Sequence, residues 1–221
     1  MVRTPRATLA DAVSNPRSLD LAVLIIAIAA TCSTGFLLTR VGQLAALDQQ
    51  VSYLESFGAV ITDEAYANLR KLVPYRPMID AAVILIGWPI FWLLSARVVQ
   101  WAATRAGRGE RRFGQVLTVI VHASAIFAVR AIVAAPINYA RESLGGATSL
   151  RMVMPGFGES AFPARLLGAV DIFVLWWLVL IAVGLSILYQ TRTVPIARWL
   201  FGAYAGGAAA MALTQALRGG I

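Results

Sequence analysis

Five apolar runs of similar length follow one another along the chain, separated by segments rich in polar residues. They cover residues 21–38, 79–101, 115–137, 166–189 and 197–217. About 20 mainly apolar residues are needed for a helix to cross the hydrocarbon core of a bilayer, and a helix satisfies its own backbone hydrogen bonds there. The pattern predicts an all-α, polytopic membrane protein with five transmembrane helices, built as a single membrane domain over residues 1–221.

Composition agrees with this prediction. Hydrophobic residues make up 59% of the chain and charged residues 14%, whereas about 25% of a soluble domain is charged. The net charge of +8 could suit a nucleic-acid binder, but the arginines are scattered beside the apolar runs, where basic residues set topology and contact lipid headgroups. No basic stripe interleaved with aromatic residues is present, so we expect membrane lipids, and not nucleic acid, around this protein.

The segments between the runs carry their own patterns. In the first long loop, residues 39–78, Leu44, Leu47, Val51 and Leu54 recur at heptad-like spacing and predict a short amphipathic helix that ends near Gly58. Thr62 or Asp63 can cap a second helix, whose apolar face is Tyr66, Leu69 and Val73. These helices could cover the bundle, lie on the membrane interface or bind a partner.

The other polar segments are simpler. Residues 138–163 are rich in Gly, Ser and Pro and predict an irregular loop, re-entrant near residues 150–154. The amino-terminal segment, residues 1–20, contains Thr8 to Val13, which predicts a short helix ended by Pro16 and lying on the membrane surface.

Orientation follows from one cluster of arginines. Arg105, Arg108, Arg111 and Arg112 lie within eight residues between the second and third runs. Because short basic loops stay in the cytoplasm, we place the amino terminus there and the carboxyl terminus outside. The loops 39–78 and 138–163 are then extracytoplasmic.

Two opposite charges lie within the apolar runs. Asp171 is five residues into the fourth run, and Arg130 is six residues before Pro136 in the third. In antiparallel helices the two would lie at a similar depth, about 8–9 Å below one membrane surface. An unpaired charge is costly inside a membrane. We therefore expect a neutralised pair that fixes the register of two helices.

Other residues offer little chemistry. Cys32 is the only cysteine and His122 the only histidine, which excludes an intramolecular disulfide and a His-rich or cysteine-based metal site. His122 could pack through a hydrogen bond or relay protons. No nucleophile elbow or phosphate-binding glycine loop is present, so we expect no catalytic residue, metal or cofactor. A lipid-modifying enzyme would require polar groups converging near Glu142, Arg151 or Glu159.

The fifth run contains a face of small residues. Gly202, Gly206 and Ala210 fall four residues apart, a spacing that lets a second helix approach closely in lipid. We expect this face to pack against another helix.

The fourth run also resembles a known family. The block from Asp171 to Tyr189, with Asp171, Phe173, Leu175, Trp176, Gly184 and Leu185, is similar to the motif of the bacterial branch of the Yip (Ypt-interacting protein) family. Thr148-Ser149-Leu150 and Pro155-Gly156 resemble that family's outer loop, and Thr193, Pro195 and Ala197 its last cytoplasmic turn. The likeness is good from about Phe113 onward and weak before it.

This resemblance implies five spans, a cytoplasmic amino terminus, an outward carboxyl terminus and no catalysis, in the bacterial cytoplasmic (inner) membrane. Some bacterial relatives are associated with ABC-type efflux pumps. We therefore expect a non-enzymatic scaffold or accessory subunit, with an ABC permease or periplasmic adaptor as its membrane partner. The alternative is a small transporter or proton-coupled protein that uses Asp171 and His122. The sequence leaves the oligomeric state open.

Overall fold

The computed structural model of the chain describes residues 5–14, 18–55, 58–105, 113–153 and 167–218. Every regular element within these ranges is helical, apart from a single bridging pair of residues, which confirms the all-α prediction. Several residues used above lie outside the described ranges: Pro16, Arg108, Arg111, Arg112, Met154, Pro155, Gly156 and Glu159.

Ten α-helices and one short 3₁₀ turn are found in the described part of the chain. They are α1 (Pro5–Ser14), α2 (Leu19–Leu37), α3 (Arg40–Glu55), α4 (Asp63–Leu72), the 3₁₀ turn Val73–Tyr75, α5 (Arg76–Arg105), α6 (Phe113–Ala123), α7 (Ala125–Ala140), α8 (Leu150–Val153), α9 (Ile172–Leu188) and α10 (Thr193–Arg218).

Three stretches are long and apolar enough to cross a membrane: α2, the α4–α5 stretch and the α6–α7 stretch. Helix α9 is apolar but has 17 residues, so it is shorter than the predicted run 166–189. Helix α10 has 26 residues. The protein is thus a membrane protein with three evident spans, and the count of five stays a prediction.

The third predicted run is interrupted at its middle. Ser124 separates α6 from α7 and is fully buried. Its hydroxyl donates to the carbonyl of Ile120 and accepts a hydrogen bond from Trp177 Nε1 at 3.1 Å. A hydroxyl that bonds back to its own helix often bends that helix, which gives the break a local cause.

The core lies among α2, α5, α6, α9 and α10, with α2 packed against both α5 and α7. A cluster of five aromatic rings adjoins this core. The neighbouring ring centroids lie 5.3–5.8 Å apart, and the rings are those of Trp88, Phe91, Trp92, Phe127 and Trp177. Such spacings are typical of favourable aromatic contacts. Pro89 lies inside α5 next to this cluster, and α5 continues past it.

One glycine on the seam between α6 and α9 is required by packing. A Cβ at Gly184 would lie 2.5 Å from Val119 Cγ1, far inside van der Waals contact. The absence of a side chain therefore lets α9 press directly against α6. This gives the motif glycine a physical reason, close helix approach.

The two predicted loop helices are present as α3 and α4. Thr62 caps α4 by accepting a hydrogen bond from the backbone N–H of Ala65, and Gly58 closes the turn between the helices with a φ of 82°. The buried side of α3 is formed by Gly42, Ala45, Ala46 and Leu47. Leu44, predicted for the apolar face, is 49% exposed, because the face turned toward α2 and the 3₁₀ turn carries the smaller residues.

Helix α1 belongs to the bundle. Leu9 and Ala12 are buried and the helix packs against α6 and α9. The predicted surface anchor is therefore replaced by a short helix that covers the end of the bundle opposite α3 and α4.

Candidate functional site

The start of α9 holds the most connected polar residue described in the chain. Asp171 is not five residues inside a span, as the sequence suggested, but is the N-cap of α9, with an extended backbone at φ −104° and ψ 130°. Its Oδ1 accepts hydrogen bonds from the backbone N–H groups of Phe173 and Val174 at 2.8 and 3.3 Å. An acid at this position satisfies orphan backbone donors and complements the helix dipole.

The other carboxylate oxygen faces Arg130. Arg130 Nε lies 3.0 Å from Asp171 Oδ2, which is the ion pair that the sequence predicted. Thr148 joins them: its hydroxyl donates to Asp171 Oδ2 and accepts from Arg130 Nε at 3.1 Å. The Asp171 side chain is 18% exposed and that of Arg130 45%. We call these three residues, together with Tyr204 of α10, the polar hub.

Tyr204 brings the last helix into the hub. Its hydroxyl accepts a hydrogen bond from the backbone N–H of Asp171 and donates to the carbonyl of Ala169, both at 3.1 Å. A bridge between Ser149 and Asp171 adds two backbone hydrogen bonds, Leu150 N–H to Val170 and Ile172 N–H to Thr148. The hub thus ties α7, the loop after it, α9 and α10 together.

Arg130 lies farther from the end of its helix than the sequence predicted. Helix α7 runs through Pro136 to Ala140, so Arg130 lies ten residues, about 15 Å, before its end. Asp171 can meet it because residues 144–147 fold back along α7, where they line the same cavity as Arg130. The pair is therefore made between the interior of α7 and the start of α9, and not between two helix interiors.

His122 is separate from the hub. Its Nδ1 is 2.9 Å from the backbone carbonyl of Thr118, one turn earlier on α6, and the ring is partly buried. Among the described residues, His122 makes no ion pair with Asp171, so the geometry does not join the two groups of the alternative transport hypothesis.

The remaining motif residues divide into inward and outward positions. Phe173 and Leu175 are half-buried, whereas Trp176 is 51% exposed. The neighbouring Trp177, which the sequence did not single out, is the residue that enters the aromatic cluster. An exposed tryptophan beside a buried one suits a helix whose outer face meets lipid.

The predicted packing face on α10 meets no other helix within the described ranges. Nothing lies within 4 Å of a Cβ built at Gly202 or Gly206, and Ala210 is exposed. Helix α10 packs against α9 through the opposite side, which carries Tyr204. The expectation that a second helix packs on the small residues stays a prediction, and the described part of this chain does not supply that helix.

Sequence reasoning missed several polar partners. Thr148 was noted only as part of a loop pattern, and Tyr204 was not singled out because attention fell on the small residues around it. An acid at the start of the second apolar run also escaped notice: Asp80, near the start of α5, accepts a hydrogen bond from Ser33 of α2 at 2.5 Å. The signal was available, since Asp80 is the only acid between Arg76 and Arg105.

In the described ranges no group of three or more His, Cys, Asp or Glu side chains is placed to hold a metal ion. The hub is made of one acid, one base and two hydroxyls whose bonds join chain segments. Together with the apolar helices, it defines a polytopic α-helical membrane protein with a polar joint near one end of the bundle.

The sequence matches the model of the Yip1 domain over residues 1–216, and the chain belongs to this family of membrane proteins. Membership of the Yip family, predicted from the fourth run, is confirmed, whereas assignment to its bacterial branch stays a prediction. The match extends through the first hundred residues, where the motifs gave no signal. No match was found among curated proteins or among solved structures.

Proposed function

We propose that this protein is a non-enzymatic membrane scaffold or accessory subunit. The observation that carries the proposal is the complete use of the Asp171 carboxylate. One oxygen caps α9 and the other binds Arg130 and Thr148. A carboxylate used in this way holds helices in register, whereas a proton or substrate carrier needs an oxygen that can exchange partners.

The outer loop supplies the surface for a partner. No described residue of α4 is buried, and large apolar side chains stand out around it: Val60, Tyr66, Leu72 and Tyr75 are 39–88% exposed. The helix is stabilised locally by the Thr62 cap, by acids in its first turn and by bases in its last. A helix that keeps its shape without burying its apolar side is suited to docking, either on lipid or on another protein.

The choice of partner rests on family resemblance. We propose an ABC permease or a periplasmic adaptor of an export complex, in the bacterial inner membrane, with α3 and α4 outside and the amino terminus in the cytoplasm. Arg97 and Arg105, which lie over the rings of Phe113 and Trp101, mark the cytoplasmic end in this orientation, in agreement with the positive-inside rule. With this orientation, five spans place the carboxyl terminus outside.

The proposal is tested by capture from native membranes. Tagged full-length protein is cross-linked, purified in a mild detergent and compared with the double variant Tyr66→Ser/Leu69→Ser and with a control, Ala67→Ser, on the exposed side of α4. We expect stoichiometric recovery of an exporter subunit with the wild type and the control, and its loss with the double variant. Recovery of the protein alone under several detergents would exclude a stable complex.

A proton-coupled transporter using Asp171 and His122 is the second proposal. It predicts that Asp171→Asn and His122→Gln each abolish proton uptake by liposomes containing the purified protein. The scaffold proposal predicts no uptake by the wild type and wild-type partner capture by His122→Gln.

A further inference from the structure

A cavity of about 260 Å³ lies beside the hub, between α2, α5, α7 and the loop residues 144–147. It exists because the facing sides of α2 and α7 carry small residues there, Ala29, Ala131, Ala134 and Ala135. Its other walls are of two kinds. Phe36, Ile84, Trp88 and Phe127 are apolar, and Ser33, Arg130 and Asn138 are polar.

Arg130 reaches the cavity with unused donors. Both of its hydrogen bonds to the hub are made by Nε, so the terminal nitrogens Nη1 and Nη2 make no hydrogen bond to the described part of the chain. Nearly half of the side chain is exposed. A guanidinium fork with free donors matches phosphate oxygens bidentately.

Asn138 offers a hydrogen-bond acceptor to the same cavity, where Arg130 offers donors. Its Oδ1 is buried and has no hydrogen-bond partner among the described residues. A buried acceptor left without a donor costs about 1–3 kcal/mol, so a ligand that carries a hydroxyl or ammonium group would remove this cost. Ser33 also lines the cavity, and its hydroxyl is held by a hydrogen bond that it donates to Asp80 of α5.

We propose that this cavity binds the headgroup of a phospholipid that carries a hydrogen-bond donor, with the phosphate at Arg130, the donor group at Asn138 and the first part of an acyl chain along Ile84, Trp88 and Phe127. The volume is slightly below that of typical drug-sized pockets, which suits a headgroup and the start of a chain. A soluble phosphate monoester has the same headgroup chemistry but lacks the chain.

A cysteine in the wall of the cavity can report whether the cavity is occupied. Cys32 lines the cavity and is the only cysteine, so its alkylation by N-ethylmaleimide, followed by intact mass, reports access to this space. The full-length protein in detergent micelles is titrated with dioctanoyl phosphatidylglycerol, dioctanoyl phosphatidylcholine or glycerol 3-phosphate. The choline headgroup keeps the phosphate and lacks a donor.

We expect phosphatidylglycerol to slow alkylation about fivefold at a concentration four times its Kd, and phosphatidylcholine to protect much less. Equal protection by glycerol 3-phosphate would support the headgroup site and assign it to a soluble ligand. Equal protection by the two lipids would overturn the proposal, because the donor group would then play no part in recognition. Protection by neither lipid would also overturn it, because the phosphate would then not be bound.

Variants test the two polar contacts and the space itself. The Asn138→Leu variant should bind the two lipids with equal affinity. The Arg130→Lys variant should need about ten times more phosphatidylglycerol for the same slowing of alkylation. Ala134→Leu fills the cavity without touching the hub and should abolish protection, whereas Ala140→Leu, an exposed control on the same helix, should not. Lipid retained by each variant in native mass spectrometry gives a readout independent of cysteine access. Retention unchanged by Ala134→Leu would contradict binding at this place.

Discussion

The polar hub and the α3–α4 loop show two ways in which this membrane protein uses polar and small residues. At the hub, each group has a partner inside the chain: Asp171 caps a helix, pairs with Arg130 and meets Thr148 and Tyr204. In the loop, α4 is stabilised by the Thr62 cap and by the charges in its first and last turns, and none of its residues is buried. The comparison indicates that the hub maintains the bundle, while the loop is free to serve contacts outside the chain.

The largest effect should come from breaking the hub. Asp171→Ala should lower the free energy of unfolding by about 2–4 kcal/mol, because it removes the cap of α9 and leaves Arg130 without its counter-charge. Asp171→Asn keeps an oxygen at the cap and should cost about 1–3 kcal/mol. Both values are measured by titrating the purified protein in mixed micelles with a denaturing detergent while tryptophan fluorescence is followed.

A double variant separates pairing from capping. Asp171→Asn combined with Arg130→Leu should cost less than the sum of the two single changes, since no unpaired charge remains. If the double variant is as unstable as that sum, the ion pair is not what holds α7 to α9.

The seam between α6 and α9 should give the next largest effect. Gly184→Ala would place a methyl group against Val119 and should cost about 1–3 kcal/mol through overpacking. Val119→Ala should restore most of this loss by opening space. The control Gly202→Ala has nothing within 4 Å and should be neutral or slightly stabilising, because alanine favours a helix over glycine. Equal losses at both glycines would show that packing is not the cause.

The aromatic cluster offers a matched pair with a smaller effect. Trp177→Phe keeps a ring in place but removes the hydrogen bond to Ser124, for an expected cost of about 0.5–1.5 kcal/mol. Trp176→Phe, on the exposed side of the same helix, should change stability by no more than about 0.5 kcal/mol. The same unfolding assay compares them, and a larger effect at Trp176 would contradict the inward and outward assignment.

The smallest effect on stability is expected in the loop. Tyr66→Ser/Leu69→Ser removes one exposed and one partly buried apolar group from α4. It should lower the free energy of unfolding by no more than about 1 kcal/mol, while abolishing partner capture. If this double variant unfolds the bundle instead, the loop helices are part of the core and the contrast with the hub disappears.

Much of the fold was predictable because it follows from local patterns. Apolar runs of helical length located the main helices, and Thr62 and Gly58 marked the boundary between α3 and α4. The fourth apolar run was the exception. Its apolar run begins at residue 166, but Asp171 ends up outside the helix because an acid gains more from capping backbone N–H groups than from lying inside the span.

The site was only partly predictable for a related reason. The Arg130–Asp171 pair follows from two isolated opposite charges, and the structure contains it. Thr148 and Tyr204 could not be assigned, because their roles depend on a loop that folds back along α7 and on the rotation of α10. The small residues of α10 show another limit: Gly202, Gly206 and Ala210 have the spacing of a packing face, but spacing alone does not say which helix would pack there.

The position of Tyr204 has a consequence for biogenesis. During synthesis, Asp171 can cap α9 and reach Arg130 and Thr148 as soon as α9 has formed, because those partners precede it in the chain. The backbone N–H of Asp171 and the carbonyl of Ala169 must wait for Tyr204, which is made 33 residues after Asp171. Packing of the last helix thus completes hydrogen bonds that no earlier segment supplies, and a chain that stops before Tyr204 leaves the Asp171 N–H and the Ala169 carbonyl without this partner.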